Sequence, residues 1–323
     1  MSCHHRRCAY ACRSPFIPME NLEQLTMFGV DSNPEYVFDV YHDESGTYHR
    51  LKGDRWLLHG VLFVPTDKKP DVMSALRKIR NDTGYFGEIH YVKLRKSTKG
   101  SKAQCAKGWL QTYAQNLSGT VFYHCLAVDT HSSGFKHQRF SKAYHVYNYF
   151  ARTALVGGIA WSLNRYKKVA MSIYSDRKSR QRGNNFATYI PREVSKAVLA
   201  KRARKKSSYP EIRLTSSTVA LVDSDPTNVP SDIADDCELI QLVDLLTSSI
   251  AQALSATSGQ KAKVMMAEIV AGWIEDTRKP PWLQSKELYR RFSLSCFPDE
   301  KGRFYTPGLK IIEKKHPKLF GNE

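Results

Sequence analysis

The order in which strand-like and helix-like stretches follow one another constrains this chain most. Two β-rich runs come first. Val37, Phe38, Val40 and Tyr41 lead into Asp43-Glu44-Ser45-Gly46, where Ser-Gly turns the chain, and Arg55–Val64 (RWLLHGVLFV) is almost continuously apolar. A loop containing Gly53 joins them, so the pair reads as an antiparallel hairpin. Helical spacing follows at Asp71–Arg80, with Val72, Leu76 and Ile79 on one side, and again at Ala103–Ala114. A third strand, Thr120–Val128, ends at Asp129; a long helical pattern then covers Phe140–Arg165. Strand Val169–Tyr174, helix Ile190–Lys205, strand Pro210–Val222 and helix Cys237–Leu254 complete the succession. Such an order suits a mixed, five-stranded α/β sheet with helices on both faces. Linkers are short, which favours one domain over residues 36–256, a basic Cys/His-containing tail at 1–35 and a helical or irregular extension at 257–323.

Acids stand at informative places along this order. An Asp at a strand tip, such as Asp43, can hold a metal rigidly while its carboxylate faces a cleft, although beside Ser-Gly it also reads as a simple turn former. Asp176 repeats the pattern after VAMSIY, where a buried-looking strand stops. In GEIHYVKLRK, Glu88 and His90 alternate with Ile89 and Tyr91, so both polar side chains share one face. Taken by itself that segment is an exposed edge strand. On the helix Cys237–Leu254, apolar residues cover most of the circumference, and Glu238, Gln241, Asp244 and Ser248 fall on one narrow stripe. A carboxylate on a mostly buried helix is costly unless paired or bound to a metal, which singles out Asp244; the alternative is a helix showing a thin edge to water.

The formal net charge of +18 implies polyanionic partners, nucleic acid ahead of an anionic membrane surface. Arg177, Lys178, Arg180 and Arg182 form a basic loop directly after Asp176, and Arg192 and Lys196 begin a basic helix that reads equally as a phosphate-binding or a solvated face. The stripe of Tyr144, Tyr147, Phe150, Leu155 and Trp161 reads as core. No apolar run suggests a membrane span and no secretory core opens the chain, so a cytoplasmic protein with no membrane partner is expected. Seven cysteines over 323 residues do not suit a disulfide framework; Cys105, Cys125, Cys237 and Cys296 read as reduced, buried residues. Cys3, His4, His5, Cys8 and Cys12 are zinc-type ligands without the spacing of a closed site, and Met19 and Met27 offer later starts. Walker, dinucleotide and Gly-x-Ser-x-Gly motifs are absent from the sequence.

With acids at the ends of the first and fourth strands and another on the closing helix, the succession resembles the ribonuclease H-like architecture. Four motifs resemble those of the DUF3800 family: Asp43-Glu44-Ser45-Gly46, Glu88-Ile89-His90, Ser175-Asp176 and Gln241-Leu242-Val243-Asp244-Leu245. Asp223-Ser224 also looks like that family's Asp-Ser ahead of the helix. The likeness spans roughly Tyr36–Ala253. It departs from ribonuclease H-like nucleases at Phe140–Arg165, which supplies no acid, so Glu88 would have to complete the cluster from another segment.

The activity this implies is hydrolysis of DNA or RNA phosphodiesters by two Mg²⁺ or Mn²⁺ ions. Asp43 would bridge the ions, Asp176 and Asp244 complete their shells, and Glu88 ligate or orient the water. His90 would shuttle a proton and Gln241 hold a ligand or the scissile phosphate. Lys93, Arg177, Lys178, Arg180, Arg182, Arg192 and Lys196 would position the nucleic-acid backbone. The rival readings are a non-catalytic nucleic-acid-binding or scaffold protein on the same frame, and a hydrolase of small phosphorylated substrates.

Overall fold

Strand β1 (Glu35–Ser45) is the axis of the sheet. It pairs antiparallel with β2 (Trp56–Pro65), which pairs antiparallel with β3 (Phe122–Asp129); on its other side β1 runs parallel to β4 (Lys168–Asp176). The computed structural model describes residues 35–49, 52–117, 119–177, 184–205, 209–279 and 291–315. The basic Cys/His stretch before residue 35, and Lys178, Arg180 and Arg182, lie outside the described residues.

The hairpin is where the sequence puts it, but the sheet is larger than expected. It has seven strands, in the order β5 (Glu211–Leu214), β4, β1, β2, β3 and β7 (Phe292–Phe297), with β6 (Ala220–Val222) also on β4. Pro210–Val222 is not one strand. It runs beside β4 as β5 (Glu211–Leu214), leaves so that Val219 N donates to Ala187 O at 2.9 Å, and returns as β6 (Ala220–Val222). The chain beyond residue 257 supplies β7 (Phe292–Phe297), parallel to β3, because Phe292 and Cys296 have apolar surface to bury against that edge.

Helices cover both faces. Helices α1 (Lys69–Thr83), α2 (Ser101–Thr112), α5 (Ala234–Ser255) and α6 (Lys261–Arg278) share one core with Tyr41, Leu58, Leu62 and Tyr123. Helices α3 (Ala143–Ser162) and α4 (Phe186–Lys205) share the other with Phe38, Val40, Val61 and Phe63. Helix α1 carries Pro70 in its first turn and stops at Gly84, whose φ of 63° lets its N–H reach back to the Arg80 and Asn81 carbonyls. A short helix α7 (Lys310–Lys315) adds Ile311 to the α5 side.

Helix α5 positions Asp244 and holds the segment that carries Glu88 and His90. With its leading turn it is long and apolar enough to cross a membrane, yet 89% of its most apolar window is buried inside the protein. Its internal hydroxyls are satisfied locally: Thr247 Oγ1 donates to Val243 O at 2.7 Å and Ser249 Oγ to Leu245 O at 2.6 Å. The helix is clamped to β1 near its start, where Tyr41 Oη donates to Asp236 Oδ1 at 2.5 Å and Lys69 Nζ bridges Asp236 and Asp39 at 2.5 and 3.5 Å. At Gly60 on β2 the helix comes close to the strand. A Cβ there would stand 2.0 Å from Thr247 Oγ1 and 2.6 Å from Tyr123 Oη.

Candidate functional site

Parallel pairing of β1 and β4 ends with His42 opposite Ser175, which makes Asp43 and Asp176 the next residues on neighbouring strands. Such strands lie about 4.8 Å apart. Two residues earlier, Tyr41 and Tyr174 stack with ring centroids 5.0 Å apart in the α5 core, so strand alternation directs Asp43 and Asp176 to the α5 side as well. Gly60, opposite Asp43 across the hairpin, points its missing Cβ at Thr247 of α5 and gives the same orientation. Asp43 is 3% exposed and Asp176 half-buried; Glu44 N donates to Asp43 Oδ1 at 2.8 Å.

Asp244 comes to this place from α5. Its Oδ2 accepts from Tyr91 N at 2.8 Å and pairs with His90 Nδ1 at 2.7 Å. Ser248 Oγ, one turn on, lies 3.0 Å from Asp244 Oδ1 and 3.2 Å from Ser45 Oγ, at the tip of β1 two residues beyond Asp43. His90 has its pKa raised, first by the hydrogen bond to Asp244 against the opposing effect of burial, then by the negative charges of Asp244, Glu88 and Asp43. Three carboxylates from three segments therefore act on one imidazole.

The segment carrying Glu88 and His90 is not the edge strand that its alternation suggests. It is irregular up to a single turn at Tyr91–Lys93, because its backbone donors are taken by side chains of α5 and not by a strand. Gln241 Oε1 accepts from Ile89 N at 2.8 Å and from Arg80 Nη2 at 3.2 Å, and Gln241 Nε2 donates to Ser224 O at 2.8 Å. Gln241 thus fixes three segments to α5. Glu88 is reached by Ser224 Oγ at 3.3 Å and pairs with Lys93, which belongs to the same turn.

Arg80 was not visible as a functional residue in the sequence. It is 3% exposed, donates to the carbonyls of Tyr85 and Gly87 at 3.1 and 2.9 Å, and lies over the Trp109 ring at 4.7 Å. Its Nε is 2.9 Å from Glu238 Oε1, whose carboxyl burial nevertheless holds above the usual range. Through these contacts Arg80 shapes the loop that presents Glu88. A buried Arg on an amphipathic helix reads as part of the polar face, so only its tertiary partners could have identified it.

The basic residues divide. Lys93 and Arg177 lie beside the acids, with Arg177 N donating to Val222 O at 2.7 Å. Arg192 and Lys196 do not: α4 belongs to the opposite layer, and both side chains pair with Glu193 at 2.9 and 3.3 Å. Sequence proximity to Asp176 was misleading because the chain crosses to the other face of the sheet after β4.

Among the described residues, one set of three has ligand atoms that all lie within 4.8 Å of one another, and it is not the acids. It is His42, Glu44 and His59, on the α3 side of the same strand tip. A His-x-Glu pair on one strand is visible in the sequence, but its partner His59 is defined only by the hairpin register. Compared with known proteins, the chain matches no family model and no curated sequence.

Proposed function

We propose that this protein is a divalent-metal-dependent phosphodiesterase acting on nucleic acid, built on a ribonuclease H-like frame and related to the DUF3800 proteins. The frame reading is supported by three antiparallel strands, with β1 at their inner edge, followed by parallel additions of β4 and then β5 and β6 beyond it. The observation that carries the activity is the placement of Asp43 and Asp176 on adjacent strand ends facing α5, where Asp244 is held by His90 and the Tyr91 N–H. Two hard cations between these carboxylates would activate a water and stabilise the leaving oxygen. Glu88 would complete the set in place of the acid that α3 lacks. His90, its pKa raised by its acidic neighbours, would carry a proton to or from the reacting oxygens. Lys93 and Arg177 would meet the phosphates.

The rival reading, a binding protein whose acids serve structure, is favoured by one observation. Asp244 already has three hydrogen-bonding partners, and Glu88 has Lys93. Cleavage of single-stranded, duplex and hybrid substrates with Mg²⁺ or Mn²⁺ separates the two. The nuclease reading expects metal-dependent cleavage that Asp43→Asn and Asp244→Asn each abolish. Salt-sensitive binding without turnover, or turnover that survives both changes, would overturn it.

A further inference from the structure

We propose that His42, Glu44 and His59 form a separate metal site, selective for a borderline ion of the zinc class, on the sheet face opposite the acids. Strand alternation puts His42 and Glu44 on one side of β1, and antiparallel register sets His59 of β2 directly across from Glu44. Both imidazoles are buried, at 1% and 0% exposure, while Glu44 is half-buried at the strand tip, where an ion could reach it.

The spacing fits coordination. His42 Nε2 and His59 Nδ1 are 3.1 Å apart. Two nitrogens bound to one tetrahedral zinc at 2.0–2.1 Å stand about 3.3 Å from each other, so a small adjustment seats the ion. A polar neighbour orients the first ring: His42 Nδ1 is 3.1 Å from Ser175 Oγ, directly opposite on β4, which leaves Nε2 to face His59. Rings of Phe186 and Tyr147 wall the site, at 5.7 Å from His42 and 6.4 Å from His59, and keep it partly dry. A hydrogen-bonded imidazole pair alone would need no third group. The carboxylate of Glu44, within 4.8 Å of a ring nitrogen of each histidine, turns the pair into a ligand set with one position left for water. Two imidazoles favour zinc-class ions, whereas the all-oxygen acids on the other face favour Mg²⁺ or Mn²⁺.

The test is titration of the chelator-treated full chain with Co²⁺, followed by displacement with Zn²⁺. The wild type is expected to give a visible Co²⁺ spectrum of nitrogen and oxygen ligation that Zn²⁺ abolishes. Affinity should fall by about tenfold or more in Glu44→Gln and His59→Gln, and by about tenfold in Ser175→Ala. Asp244→Asn should leave it intact, which separates this site from the proposed nuclease centre. Should His59→Gln fail to fold, Glu44→Gln at the strand tip decides alone. No Co²⁺ binding, binding indifferent to Glu44→Gln, or a thiolate-type spectrum from the leading cysteines would overturn the proposal.

Discussion

Asp244 is held by His90, the Tyr91 N–H and Ser248, and this determines how the site responds to pH. Because the hydrogen bond to Asp244 raises the His90 pKa, protonated His90 stabilises the folded chain. A His of this kind contributes fully below its ordinary pKa of about 6.5, and the contribution disappears as pH rises through the elevated value. His90→Gln should therefore lower the melting temperature most at mildly acidic pH, with the gap from wild type closing under alkaline conditions. Thermal melts across that range check it; a gap that widens with pH would contradict the assignment. Asp43 and Asp176 were legible because strand ends announce themselves in sequence. The tasks of Gln241 and Arg80 were not, since each is defined by partners far along the chain: Gln241 meets Ile89 across 152 positions and Arg80 across 161.

At the scale of elements, the approach of α5 to the hairpin decides whether Asp244 can meet Asp43 at all. Gly60 permits that approach, and a methyl group there would collide with Thr247, whose β-branched side chain has little freedom to turn away. Gly60→Ala should cost about 1–3 kcal/mol by overpacking and lift α5 from the strand tip. Denaturant unfolding measures the cost, and an unchanged midpoint would show that the helix is not seated as described. Most elements were legible from periodicity: the hairpin, β3, β4 and helices α1 to α5 fall where spacing puts them. Residues 87–96 were misread because alternation signals a strand only when strand partners exist, and here α5 side chains take the Ile89 and Tyr91 backbone donors. The break between β5 and β6 also escaped notice, since the Ala187 carbonyl that draws Val219 away lies on another element.

For the whole molecule, the two ends of the argument meet at the tip of β1. Asp43 faces the α5 layer, while His42 and Glu44 face the α3 layer, so one strand would serve the two proposed sites, which differ in chemistry. The net charge of +18 belongs to the whole chain and implies polyanionic partners without locating the chemistry; Arg192 and Lys196 add to that charge from the layer away from the acids. Composition could only suggest a polyanionic partner, and only the fold could say which basic residues stand near a carboxylate. The central claim is that Asp43, Asp176 and Asp244 can share hard divalent ions. Crystals of the full chain grown with MnCl₂ test it through anomalous scattering at the manganese edge. The account predicts a peak bounded by those three carboxylates. An ordered strand tip with no peak there, or a peak confined to His42, Glu44 and His59, would contradict it.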